Sequence, residues 1–264
     1  MLSDNKKSFV ISNIDTSEQE VFDLGDYRIG YFIKRSQLGL SNNQDAIFGM
    51  LIEKGFVLGV SDGAGGHPKG QEAAQLACEV ISKGFSSFSK NCFSPQPLIE
   101  HANDEIKAMK VGARCTLSFI ALTNDCLRAY NVGDSEVLYW NSSGSKLYSN
   151  IPHSTVGYKV EAGEVDQAQS LEEDDRYLVT NMLGDENIRI ESTSGFNLKK
   201  GHTIVIGTDG IFDNLSHESL SEIISGGVFD ESFQSLCHIC EEQNEQVWKK
   251  DDDIAFIVLR KMKS

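Results

Sequence analysis

No apolar run in the 264-residue chain approaches the roughly 18 residues a membrane-spanning helix needs, so no span is expected. The opening residues 1–20 are polar and lack an apolar h-region, so no export signal is expected and a cytoplasmic location follows. Basic residues are outnumbered: 24 Lys and Arg stand against 39 Asp and Glu, a formal charge of −15. That field repels phosphate backbones and anionic lipid, which argues against nucleic-acid or membrane binding by bulk charge. Cysteines are few and scattered, at 78, 92, 115, 126, 237 and 240, in a chain too large to need staples. They read as reduced thiols. Cys237-His238-Ile239-Cys240 matches C-x-x-C, but no second ligand pair completes a zinc site. Phe233, Leu236, Cys237 and Cys240 share one helical face, which is a core-packing pattern.

What is present is an ordinary globular composition, 40% hydrophobic and 24% charged. Residues 1–25 are polar and read as a loose tail or a short added strand. Residues 26–264 read as a single domain, with no repeat and no linker. Strands are expected at 27–34, 46–52 and 56–61, the last two forming an antiparallel hairpin. A helix follows from Gly70, with Ala73, Ala77, Val80, Ile81 and Phe88 on one stripe. Pro95 and Pro97 open a second helix, with Leu98, Ile99, Ala102, Ile106 and Met109 inward. Strands resume at 115–122, 126–132, 137–140 and 146–148. Residues 157–168 look helical, and 157–186 as a whole is weakly patterned. A strand at 202–206, a helix capped by Ser216, a longer helix over 230–248 and a closing strand at 254–259 complete the chain. Short consecutive hairpins imply antiparallel sheets, with the helices packed outside them.

Aspartates recur where apolar strands begin or stop. Asp45 precedes one, Asp62 and Asp209 end others, Asp252 precedes the last, and Asp134 follows the run at 127–132. Any one of these is ordinary turn chemistry. Five of them, with glycines at 63, 65, 66 and 70 letting backbone approach closely, suggest carboxylates converging at one end of a sandwich. Divalent cations would relieve their repulsion, or else their pKa values would rise. Two such cations about 3.5–4 Å apart can hold and ionise a water for in-line attack on phosphorus.

These residues resemble the metal-dependent (PPM, or type 2C) protein serine/threonine phosphatases. Asp62-Gly63-Ala64-Gly65-Gly66 with Gly70 is similar to the D-G-x-G-G-x-x-x-G element, and Asn43-Gln44-Asp45-Ala46 to N-[EQ]-D-A. Asn131-Val132-Gly133-Asp134-Ser135 resembles N-x-G-D-S, Thr208-Asp209-Gly210 with Asp213 resembles [ST]-D-G-x-x-D, and Asp252-Asp253-Ile254-Ala255 resembles the closing D-[ND]-x-T. The resemblance covers about residues 28–260 and suits a bacterial-like member. It implies an α+β fold, a β-sandwich of two antiparallel sheets with helix pairs outside in four αββα layers. It also implies a binuclear Mn²⁺ or Mg²⁺ centre. Asp62 would be shared by both metals, and Gly63 would offer its carbonyl. Asp209 and Asp252 would ligate one metal, and Asp45 would act mainly through metal-bound water. Asp134, with Asp209, would mark a weaker third position. The implied catalytic set is Asp45, Asp62, Asp209 and Asp252, and residues 157–186 correspond to the flap beside the site.

The sequence departs from that pattern where substrate would be gripped. Leu40 stands where members commonly carry a phosphate-gripping arginine, with Arg35 upstream; Glu136 replaces the usual arginine after G-D-S. Ala64 stands where animal members, unlike bacterial ones, carry a proposed general-acid histidine, and His67 is a nearby substitute. Arg114-Cys115-Thr116 replaces a G-T-T-like strand start, and His153-Ser154 follows Pro152 rather than Asp. The expected function is hydrolysis of phosphoserine or phosphothreonine on a phosphoprotein substrate, with a cognate Ser/Thr kinase as a further partner and a monomeric chain. A phosphatase-like binding module without turnover is the alternative, and a small-molecule phosphatase a weaker one.

Overall fold

Strands buried on both faces must be apolar at nearly every position, and this chain meets that demand in a computed structural model. The structure describes residues 2, 7–38, 42–87, 94–244, 248 and 250–263; Leu40, Phe88 and Cys92 lie outside them. In β3 (Tyr27–Lys34) and β13 (Ile254–Lys261), successive side chains point to opposite faces. Ile33 and Ile257 enter the space between two sheets, while their neighbours Phe32 and Phe256 face the outer helices and stack at 5.2 Å.

One sheet runs β1 (Ser8–Ser12), β4 (Asp45–Ile52), β5 (Gly55–Asp62), β6 (Leu117–Thr123), β7 (Cys126–Val132) and β10 (Glu191–Ser192), with β11 (Phe196–Asn197) also on β7. The other runs β2 (Ser17–Leu24), β3, β13, β12 (Thr203–Gly207), β8 (Glu136–Trp140) and β9 (Lys146–Ser149). Every named pairing in both sheets is antiparallel. Residues 8–24 thus supply an edge strand to each sheet.

Helices α1 (Gly70–Ser87) and α2 (Gln96–Ala108) cover the first sheet. Their Ala73, Ala77, Ile81, Ile99, Ala102 and Ile106 pack on Phe48, Val57 and Phe119. Helices α5 (His217–Ile224) and α6 (Phe229–Glu242) cover the second. Phe233 of α6 lies where a Cβ on Gly30 of β3 would stand, 2.6 Å from the ring. Truncating such a fully buried ring typically costs about 3–5 kcal/mol. Cys237 and Cys240 are buried in this layer, as their shared face predicts. The result is an α+β, four-layer αββα sandwich. No helix among the described residues is long and apolar enough to cross a membrane.

Several element ends differ from the sequence pattern. The helix expected over 157–168 is α3 (Thr155–Glu161): Ser154 caps it early, accepting from Gly157 N at 3.0 Å, and Gly163 turns out at φ +73°. A 3₁₀ turn at Gln169–Glu172 follows. The helix expected to reach 248 stops at Glu242, because Gln243 takes a left-handed φ of 43°. The strand expected from Cys115 starts at Leu117, since Cys115 bridges instead to Gly63 and Leu183.

Candidate active site

Sheet register brings the aspartates together. Asp45 begins β4 and Asp62 ends β5, and the two sit opposite one another across the antiparallel pair. Asp209 opens the single turn α4 (Asp209–Phe212) just beyond β12, and Asp252 lies just before β13, β12's neighbour. Asp134 sits in the loop between β7 and β8. Thr208 ties the two sheets at this end: its hydroxyl donates to Asp45 Oδ2 at 2.8 Å and accepts from Ala255 N at 3.0 Å. All five sequence-predicted carboxylates therefore converge.

Their charges are felt. Asp45 and Asp134 are buried, while Asp62, Asp209 and Asp252 open partly to solvent. Burial, then the charges of neighbouring aspartates, holds Asp45, Asp62 and Asp134 well above the usual carboxylate range. Burial and the charge of Asp209 push Asp252 up to about 7 and Asp213 up to about 6. Asp209 is the exception. Burial raises it, but the ammonium of Lys250 outweighs that and leaves it below its ordinary value. Lys250 Nζ donates to Asp209 Oδ2, to Asp213 Oδ2 at 2.7 Å, and lies 3.1 Å from Asp252 Oδ2. Sequence reasoning assigned neither Lys250 nor Asp213 to the site, since Lys250 sits in a polar Lys-Lys-Asp run that reads as surface.

The cluster rests on a polar floor. Asp62 N donates to Thr116 Oγ1 at 3.0 Å, and Thr116 Oγ1 pairs with Ser135 Oγ at 2.7 Å. Ser118 donates to Asn131 Oδ1 and to Ser135 O, so the loop carrying Asp134 is fastened to β6. Gly133 has φ +110°, and a Cβ there would stand 2.6 Å from Thr116. His153 clamps the same loop. Its Nδ1 accepts from Gly133 N at 3.1 Å, and its backbone N–H donates to Gly133 O at 2.9 Å. Gly63 has a different constraint: a Cβ would meet the Gly70 backbone at 2.3 Å, so glycine lets β5 end directly against the start of α1.

The Asp251-Asp252-Asp253 run alternates in role. Asp252 faces Lys250, whereas Asp251 accepts from Gln37 N and Leu38 N, and Asp253 accepts from Ser36 N and Gln44 N. The flanking pair thereby positions the segment that leads into Asp45. Burial raises the carboxyl of Asp253, and the bonds from Gln44 N and Ser36 N and the charge of Arg35 offset only part of that. Leu40 itself lies outside the described residues. Glu136, where an arginine is expected, pairs with His217 Nε2 across 3.0 Å and lies buried. His67 is exposed on its turn.

Beside the cluster, a cavity of about 130 Å³ opens between residues 149–176 and the second sheet. Asp134, Asp209, Asp213, Arg176 and His217 are among its walls. Arg176 lies 3.7 Å from Asp213 Oδ2. The donor set is oxygen-only, and Asp134 Oδ1 is buried without a hydrogen-bond partner among the described residues. Hard divalent cations suit the chemistry of such a set, although no group of three or more His, Cys, Asp or Glu side chains among the described residues is drawn together closely enough to hold one in this arrangement.

The chain was compared with known proteins. The Protein phosphatase 2C family model matches residues 37–251. A protein phosphatase 2C-type chain of Streptococcus pyogenes is 25% identical over 209 residues, covering 74% of this chain and 84% of that one. The chain is 26% identical over 175 residues to protein phosphatase 2C 55 of Arabidopsis thaliana, covering 63% of this chain but 32% of that longer protein. Among solved structures, the serine/threonine phosphatase of S. agalactiae superposes with a TM-score of 0.74 at 20% identity, covering 92% of this chain and 99% of that one. The catalytic domain of the phosphatase PstP, solved with two manganese ions, gives 0.72 at 18% identity, covering 90% and 99%.

Proposed function

Because the chain belongs to the protein phosphatase 2C family of serine/threonine phosphatases, we propose that it hydrolyses phosphoserine and phosphothreonine on protein substrates using two divalent cations. The observation that carries this reading is the convergence of Asp45, Asp62, Asp209 and Asp252 from two different sheets onto one end of the sandwich. Asp62, the Gly63 carbonyl, Asp209 and Asp252 would hold the cations, and Asp45 would act through water. Asp134, its Oδ1 unpartnered, offers a weaker third position with Asp209. Mn²⁺ and Mg²⁺ both suit oxygen ligands, and the two manganese ions of the PstP structure favour the first.

When bound, the cations supply charge neutralisation at the phosphoryl oxygens and lower the pKa of a coordinated water toward neutrality. The chain's own residues do the rest. Thr208 fixes the Asp45 carboxylate by its hydroxyl, so this ligand is oriented before any cation arrives. The Thr116–Ser135 pair holds the backbone of Asp62. Arg176 presents a guanidinium to the cavity, suited to a phosphate oxygen. Ala64 has no proton to give the leaving alkoxide, and His67 stands on an exposed turn. A serine/threonine kinase must act upstream to make such a substrate.

The test is direct. Purified protein with Mn²⁺ should release phosphate from a phosphothreonine peptide, stop in chelator, and lose activity as Asp209→Ala. Turnover that ignores chelator would overturn the reading. Tight Mn²⁺ binding with no turnover of any phosphopeptide would instead favour the binding module.

A further inference from the structure

The Lys250 ammonium inside the carboxylate cluster is positioned rather than incidental. Lys250 sits two residues before Asp252, and its backbone is held by the side-chain amide of Asn214: Lys250 N donates to Asn214 Oδ1 at 2.9 Å, and Asn214 Nδ2 donates back to Lys250 O at 2.9 Å. From that fixed point the side chain, 20% exposed, brings its ammonium to Asp209, Asp213 and Asp252 together. The only other cation facing these carboxylates within ion-pair distance among the described residues is Arg176, 3.7 Å from Asp213. Asp209 Oδ2 and Asp252 Oδ2 cannot serve the ammonium and a divalent cation at once. A lysine stem of four flexible carbons can carry its charge away while the backbone stays fixed.

We propose that Lys250 is a built-in counter-cation. It holds Asp209, Asp213 and Asp252 together in the metal-free protein and must swing out before a divalent cation binds between Asp209 and Asp252. The inference rests on the metal reading above and adds a regulatory consequence to it. The first cation, at Asp62 and Gly63, binds without opposition. The second binds only when its free concentration is high enough to displace the ammonium, so occupancy of that position reports the availability of the metal. Coupling between competing ligands is commonly about 5- to 150-fold.

The experiment uses the full chain and Lys250→Met, which keeps the stem and removes the charge. Mn²⁺ binding is followed by electron paramagnetic resonance of the free ion, and thermal unfolding is recorded in chelator and in Mn²⁺. The expected result is a second Mn²⁺ bound about 10- to 100-fold more tightly by the variant. The variant should also unfold at lower temperature than the wild type in chelator, the deficit closing in Mn²⁺. If Lys250→Met folds only with Mn²⁺ present, the affinity comparison passes to Lys250→Gln. Should Lys250→Met fail to fold in both conditions, Lys250→Gln is judged by the same titration. A second Mn²⁺ bound with equal or lower affinity by the variant overturns the proposal while leaving the phosphatase reading intact. Failure of wild type and variant alike to bind Mn²⁺ overturns both.

Discussion

Asn214 offers a quantitative check on how the site is held. It lies just past α4, is 5% exposed, and joins the segment carrying Asp209 to the segment carrying Asp252. Its Nδ2 donates to Gly210 O at 3.0 Å and to Lys250 O at 2.9 Å, and its Oδ1 accepts from Lys250 N at 2.9 Å. Asn214→Ala removes these three bonds and leaves the half-buried N–H of Lys250 without this acceptor. At about 1 kcal/mol net per hydrogen bond, with a further desolvation cost for the unpaired donor, the loss should be about 3–4 kcal/mol. For a urea slope of about 3 kcal/mol per molar at this chain length, the midpoint should fall by about 1 M. Urea unfolding followed by circular dichroism in chelator measures it. Asn214→Asp is the sharper variant. It keeps the acceptor for Lys250 N but turns lone pairs onto two carbonyls and adds a charge beside Asp209, so near neutral pH it should be at least as damaging. A change in Asn214→Ala within the roughly 0.5 kcal/mol typical of surface substitutions would refute the reasoning.

Three other outcomes are expected. Gly63→Ala forces a Cβ into the Gly70 backbone 2.3 Å away, so it should cost about 1–3 kcal/mol and reduce phosphatase activity by parting β5 from α1; wild-type stability and turnover would sink that view. In chelator, stability should decline as pH rises from about 4 to 7. Burial and Asp209 raise Asp252 to about 7 and Asp213 to about 6, so the folded chain keeps protons there that the unfolded chain releases from about pH 4 upward. That contribution is full below the unfolded pKa and lost through the folded one; a melting temperature flat over this range, or one that Mn²⁺ does not raise at neutral pH, would contradict it. Glu136→Ala leaves the buried His217 Nε2 without its partner 3.0 Å away and should cost about 1–3 kcal/mol. Mn²⁺ affinity by titration should be unchanged, and a large loss of affinity would show that Glu136 acts on the cluster itself.

The five aspartates were legible in the sequence because each breaks an apolar strand, and a charge at such a boundary is a one-dimensional signal. Runs such as residues 56–60 and 254–259, apolar at every position, likewise announced strands covered on both faces. Antiparallel sheets with helices outside them followed from the order of hairpins and amphipathic helices, while the four αββα layers were implied by the family resemblance. The Ser216 cap was also read correctly, since its hydroxyl accepts from Ser219 N three residues on. These features depend on neighbours within a few positions, and sequence order preserves such neighbours.

What tertiary structure alone decided lies in pairs remote along the chain. Glu136 meets His217 81 residues away, and Thr208 reaches Asp45 across 163. The 157–168 stretch carried a helical pattern longer than its helix, because Ser154 and Gly163 set the ends that periodicity could not. Lys250 is the plainest case. Its surroundings in sequence are polar and charged, so nothing local distinguishes it from a solvated lysine. Only the return of the chain past Asn214 aims its ammonium at Asp209, Asp213 and Asp252, 41, 37 and 2 residues away. The sequence by itself determined which oxygens gather at the end of the sandwich. The pairing of β12 with β13 and the bonds of Asn214 determined which charge stands among them, because that depends on a spacing no single strand encodes.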